Sequence, residues 1–166
     1  MTHMKRLRDL SPSMQRFYDG IRPLADSPKL GPVLWQLPER EKVDVPRLSE
    51  ALDQLPPGRH CFEFRHPSWF SDEVLELLRF HHVALVLAHH PERPWQPLEL
   101  TADWTFLRFH YGARGRRGNY SDTELREWAG HVRGLAGRAE VFAYFNNDWE
   151  GFAVQNAVRL RQLVAS

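Results

Sequence analysis

The sequence predicts an α/β fold built on a parallel sheet. Three observations carry that expectation. Five short apolar runs stand between Pro, Gly and polar punctuation and read as strands. Stretches with apolar residues at helical spacing separate them, so the two signals alternate along the chain. One run, Val83-Ala84-Leu85-Val86-Leu87-Ala88, is apolar on both faces, as a buried parallel strand reads.

Each element follows in order. Ser11-Pro12 reads as an N-cap with Pro at the first helical position, ahead of Met14, Phe17, Tyr18, Ile21 and Leu24 at helical spacing. The run from Gly31 to Pro38 is the first strand. Pro46 opens a short helix through Leu48, Leu52 and Leu55. His60 to His66 is the second strand, ended by Pro67. Ser71 precedes Asp72 and Glu73, acids suited to a helix N-terminus, and Val74, Leu75 and Leu78 form the stripe of that helix. The third strand runs into a Pro-rich connector, Pro91 to Pro97. Thr105 to Tyr111 is the fourth strand. Ser121-Asp122-Thr123-Glu124 is a capping box, followed by Leu125, Trp128, Ala129, Val132 and Leu135. Val141 to Asn146 is the fifth strand. The last helix begins near Trp149 and lines Ala153, Ala157, Leu160 and Val164 on one face. No linker and no fixed-period repeat divides the chain, so residues 1–166 read as a single domain.

Composition narrows the class. The 166 residues carry 22 Lys plus Arg against 21 Asp plus Glu, a net charge of +1. That balance argues against a wholesale nucleic-acid footprint and leaves room for a local patch. Six Trp and ten Phe supply a core and exclude a disordered chain. The lone Cys61 makes no intrachain disulfide, and no Cys/His spacing suits zinc. No run approaches a membrane span, and Met1 to Leu10 lacks the apolar stretch of a signal peptide, so a cytoplasmic location is expected.

The strands place charge where a core should be. Alternation puts Cys61, Glu63 and Arg65 on one face and Phe62, Phe64 and His66 on the other. Phe106, Arg108 and His110 likewise share a face. Helices covering the apolar faces leave Glu63, Arg65, Arg108 and His110 pointing inward, near the strand C-terminal ends where α/β folds place their sites. Enclosed charges need partners, so Glu63 is expected to pair with Arg65 or Arg108. Gln36 and Asn147 are the polar members of the first and fifth strand regions. The alternative is an ion-pair network that does no chemistry.

A second feature is Tyr111-Gly112-Ala113-Arg114-Gly115-Arg116-Arg117-Gly118-Asn119-Tyr120. Glycines let backbone amides approach an anion, and Arg114, Arg116 and Arg117 suit phosphate. A solvated loop is the plain alternative. His66, beside Pro67, reads as structural. His81-His82 and His89-His90 are adjacent pairs; His89 or His90 with Glu63 and His110 offers mixed metal ligands, but no spacing fixes a geometry. No nucleophile elbow, dinucleotide fingerprint or Walker motif is present.

Four ordered segments resemble a known family. Leu30 to Pro38, Phe62-Glu63-Phe64-Arg65-His66-Pro67-Ser68-Trp69, Leu107-Arg108-Phe109-His110-Tyr111-Gly112, and Tyr144-Phe145-Asn146-Asn147-Asp148 with Ala153 through Ala157 are similar to motifs of the YecE-like family, domain of unknown function seventy-two. Thr2 to Leu7 resembles that family's stretch after its third strand. The resemblance implies a partial TIM-type (β/α) barrel in which the five strands are the fourth to eighth, covered by helices, with the N-terminal third missing. It brings no established activity. His89-His90 stands where that family commonly has an acidic residue, which puts any charge-based role there in doubt.

The functional expectation is a small anionic, phosphorylated or other, ligand in a polar pocket at the strand C-terminal ends. Gln36, Arg65, Arg108, Asn147, Arg114, Arg116 and Arg117 would bind it, and Glu63 and His110 would do any acid/base work. The sequence leaves the cofactor open. One alternative is a noncatalytic nucleic-acid or protein-binding module using the Arg/Gly loop. Another is a divalent-metal-dependent hydrolase or isomerase. Self-association or a missing N-terminal segment is expected to complete the barrel.

Overall fold

Pro, Gly and capping residues punctuate this chain into short elements, and the computed structural model places them in order. It describes residues 7–8, 10–93 and 96–166, and of Arg116 the backbone only. Thr2 to Arg6, and Pro94 and Trp95 of the Pro-rich connector, lie outside the described residues. The chain divides into two compact units, Met1–Leu85 and Val86–Ser166.

The first unit opens with helix α1 (Leu10–Gly20) and a short helix α2 (Arg22–Ala25). Ser11 is not the cap expected of it. It lies inside the first turn, and its hydroxyl donates to Gln54 Oε1 at 2.6 Å. Pro12 is tolerated there because the first-turn amides have no helical partner. The single helix expected through Leu24 is broken at Ile21, where Pro23 opens α2 instead. Strand β1 (Val33–Gln36) follows, then α3 (Val45–Asp53), capped by Asp44 accepting from the Arg47 amide. Next come β2 (His60–Glu63), a 3-10 turn (Pro67–Trp69) and α4 (Asp72–Phe80), capped by Ser71. Strand β3 (Ala84–His89) begins in this unit. Its core sets Leu37, Leu48, Phe62, Phe64, Trp69, Val74 and Leu78 almost out of water. Phe64 and Trp69 stack with centroids 4.6 Å apart.

The second unit carries the rest of β3, then β4 (Trp104–Phe109), α5 (Asp122–Ala136), β5 (Glu140–Phe145), a 3-10 turn (Trp149–Gly151) and α6 (Phe152–Ala165). Both halves of the Ser121/Glu124 capping box are formed. Phe109 stacks on Phe145 at 4.3 Å and meets Trp128 of α5 edge-on at 5.0 Å.

All strand pairs are parallel, and the sheet order follows the chain, β1-β2-β3-β4-β5. The α/β architecture with a five-stranded parallel sheet is therefore as the alternation predicts. Gln36 pairs in register with Glu63, and Arg108 with both Ala88 and Tyr144. Strands stop two to three residues earlier than the apolar runs at Gln36, Glu63 and Phe109, and Pro38 and Pro67 have no amide to extend a ladder. Among the described residues, no helix is long and apolar enough to cross a membrane.

Candidate functional site

In the first unit, register brings the polar ends of β1 and β2 together. Glu63 closes β2 with no exposed surface, and a carboxylate so enclosed needs a charged partner. Arg65 supplies it. Its Nε donates to Glu63 Oε1 at 2.8 Å and its Nη2 to Gln36 Oε1 at 3.0 Å. The expected Glu63–Arg65 pairing is the one formed. The Arg65 side chain keeps 21% of its surface, and its Nη1 has no hydrogen-bond partner among the described residues. The arrangement is a guanidinium held by two side chains with donors left over.

His66 beside it is spoken for locally. Its Nδ1 accepts from the Ser68 amide at 3.2 Å, capping the 3-10 turn. At the other end of β2, His60 Nδ1 accepts from Trp35 Nε1 at 3.1 Å, and its Nε2 meets the Pro56 carbonyl at 2.7 Å. A ring that accepts at one nitrogen and donates at the other is neutral. Burial holds the His60 pKa below the ordinary value, partly offset by the Pro56 hydrogen bond.

In the second unit the Arg/Gly loop is built rather than loose. Gly112 donates to the Gly118 carbonyl at 2.9 Å, and Gly118 takes a positive φ of 79°. A Cβ at Gly112 or Gly115 would run into the Asn119 carbonyl, so the close approach requires glycine. Asn156, buried on α6, accepts from the Tyr120 amide at 2.9 Å and donates to Asn119 Oδ1 at 2.7 Å. Asn147 donates to the Gly118 carbonyl at 3.1 Å and lies 3.3 Å from Asn156 Oδ1. Its own Oδ1 is buried without a hydrogen-bond partner among the described residues.

The sequence reading leaves the amides of that loop for an anion, yet two of them are taken by an internal carboxylate. Glu124 Oε1 accepts from the Ala113 and Arg114 amides at 2.8 and 3.3 Å. Its Oε2 accepts from the Ser121 amide and hydroxyl at 2.8 Å each. Burial pushes the Glu124 carboxyl up, and these hydrogen bonds more than reverse it, leaving the pKa below the ordinary value. Arg114 pairs with Glu127, and Arg117 Nη1 donates to Glu150 Oε1 at 2.8 Å with its guanidinium 5.8 Å from the Trp149 ring centre. The Arg116 side chain lies outside the description.

The histidines divide by role. His89 Nδ1 meets the Tyr120 hydroxyl at 2.8 Å. Burial raises the Tyr120 pKa and lowers that of His89, so both groups are neutral, and in the tautomer where the hydroxyl donates to Nδ1 the His89 proton sits on Nε2. His110 Nδ1 lies 3.4 Å from Asn146 Nδ2, and the His90 and His110 rings are 5.8 Å apart. Arg108 is half-buried on β4. Among the described residues, no three His, Cys, Asp or Glu side chains are placed to hold a metal.

Sequence reasoning missed Asn156, Asn119 and Tyr120 as builders of this region. Asn156 carried a signal, because it sits at helical spacing with Ala153 and Leu160 on a buried face and so must be hydrogen-bonded. The second duty of Glu124 carried none, because its partners lie ten residues upstream.

The whole chain, residues 1–166, matches the family model described as Protein of unknown function DUF72. Among solved structures, a DUF72 family protein from Thermotoga maritima is 28% identical with a TM-score of 0.87, covering 98% of this chain and 68% of that one. A DUF72 family protein from Enterococcus faecalis is 20% identical with a TM-score of 0.81, covering 96% of this chain and 67% of that one. No match is found among the curated proteins.

Proposed function

The chain belongs to the DUF72 family, and from that premise we propose that it binds a small anionic ligand at the strand C-terminal ends, with Arg65 as the anchor. One observation carries the reading. Glu63 and Gln36 hold the guanidinium by two donors and leave Nη1 over, in a side chain still 21% exposed. A guanidinium fixed before binding loses little freedom when a carboxylate or phosphate docks on it. Glu63 also cancels the charge of Arg65. Recognition then rests on hydrogen-bond geometry, and binding is only weakly dependent on salt. Glu63 is a positioning residue on this reading.

We also propose that the five parallel strands are the fourth to eighth of a TIM-type barrel, forming one domain. The sequential all-parallel sheet order and the likeness in fold to longer relatives support this. Gln36, Arg65, Arg108, His110 and Asn147 then all lie toward strand C-terminal ends, where barrel enzymes carry their sites.

The nucleic-acid reading of the Arg/Gly loop has less behind it. Glu124 takes the Ala113 and Arg114 amides, so two of the loop's backbone donors are already spent.

Equilibrium binding of inorganic phosphate and a panel of phosphorylated and carboxylated metabolites tests the proposal. Arg65→Lys keeps the charge and removes the fork, so it should weaken the best ligand about tenfold or more. Unchanged affinity in Arg65→Lys, or binding that collapses with modest salt, would overturn it.

A further inference from the structure

The second unit holds a cavity that the Arg65 reading does not use. It has a volume of about 360 Å³ and lies against the end of β3, the connector after it, the start of the Arg/Gly loop and one face of α5. Its walls include His89, Trp128 and His131, and the Trp128 ring meets His89 edge-on at 5.0 Å and His131 at 5.3 Å. Arg114 lines it as well.

The polar groups there are of both kinds, with His89 and Arg114 bringing donors and Glu124, Glu127 and Gln96 bringing oxygens. Glu124 lines the cavity, but its two oxygens already accept four hydrogen bonds from Ser121, Ala113 and Arg114. It offers an incoming ligand little. His89 is different. Its Nδ1 is engaged by Tyr120, and its Nε2 has no hydrogen-bond partner among the described residues. With Nδ1 accepting from the Tyr120 hydroxyl, the ring brings an Nε2–H donor to the wall. The Arg114 guanidinium is paired with Glu127, in side chains about half exposed. Such a surface pair exchanges readily for a better-placed carboxylate.

Flat aromatic walls, with the His89 ring and the Arg114 guanidinium as donors beside them, suit a flat ligand that brings its own negative charge. We propose that this cavity binds a small aromatic carboxylate, its ring against Trp128 and its carboxylate accepting from His89 Nε2 and Arg114. The site lies wholly within the second unit and stands or falls independently of Arg65.

Benzoate is the probe, with benzamide and acetate as the neutral and ringless controls, added to the full chain and followed through the His89 imidazole resonances by NMR. Benzoate should shift them saturably, and both controls should bind about tenfold more weakly. Arg114→Gln, an exposed change that spares the fold, should cost benzoate about tenfold, while Arg65→Lys leaves it unchanged. Trp128→Phe keeps an aromatic wall and should retain most of the affinity. Four results would each overturn the proposal: no shift at His89, acetate matching benzoate, benzamide matching benzoate, or loss of the effect in Arg65→Lys.

Discussion

At the scale of single residues, the account turns on which polar groups are already engaged. Glu63 is wholly enclosed and has Arg65 as its ion-pair partner, so the pair is where a conservative change does most harm. Breaking an enclosed pair strands the other charge, and Glu63→Gln should destabilise the chain by about 3 kcal/mol in urea unfolding. A loss below about 1 kcal/mol would mean that Arg65 does not depend on Glu63. The buried histidines make a second prediction. Burial holds His60 and His89 below the ordinary histidine pKa, so the folded chain resists a proton that the unfolded chain accepts. Their contribution is complete above about pH 6.5 and is lost as pH falls through that value toward the folded pKa. The urea midpoint should therefore drop between about pH 7 and about pH 5. A flat midpoint there would contradict the neutral assignment. Glu124 is shifted in the same direction and acts at lower pH: its contribution is present above the ordinary carboxyl pKa and is lost as acid titrates the folded form.

At the scale of elements, the Arg/Gly loop is the piece whose sequence and structure differ most in emphasis. Three arginines and three glycines invite an anion, yet the glycines serve a close backbone crossing and an internal carboxylate takes the amides. Gly115→Ala forces a Cβ against the Asn119 carbonyl, so it should unseat the loop and expose the Ala113 and Arg114 amides to hydrogen exchange. Unaltered protection of those two amides would show that the loop tolerates the methyl group. The capping box at Ser121, the helix start at Asp72 and all five strands were legible, because local spacing and cap chemistry decide them. The break at Ile21 was less so, since Ile21 and Leu24 keep helical spacing across it. The Glu63–Arg65 pair was legible from period-2 alternation, whereas the third partner, Gln36, needed the β1–β2 register. The Asn119–Asn156 and Tyr120–His89 contacts join residues 37 and 31 positions apart, and no local pattern reports such pairings.

At the scale of the whole molecule, near-balanced charge and a sequential parallel sheet suit recognition by a few positioned groups better than by a broad field. Each unit contributes its own cluster: the Gln36–Glu63–Arg65 group in the first, and the His89–Tyr120–Glu124 neighbourhood in the second. The solved relatives share the fold across the chain, and the anionic ligand is the proposal that rests on these clusters. The central claim is that Arg65 is held ready and takes an anion. The most direct measurement follows the Arg65 guanidinium N–H resonances by NMR during titration with inorganic phosphate. The account predicts an Arg65 Nε–H that exchanges slowly before any ligand is added, and guanidinium resonances that shift saturably as phosphate binds. A fast-exchanging Nε–H, or resonances that stay still while phosphate binds elsewhere, would contradict it.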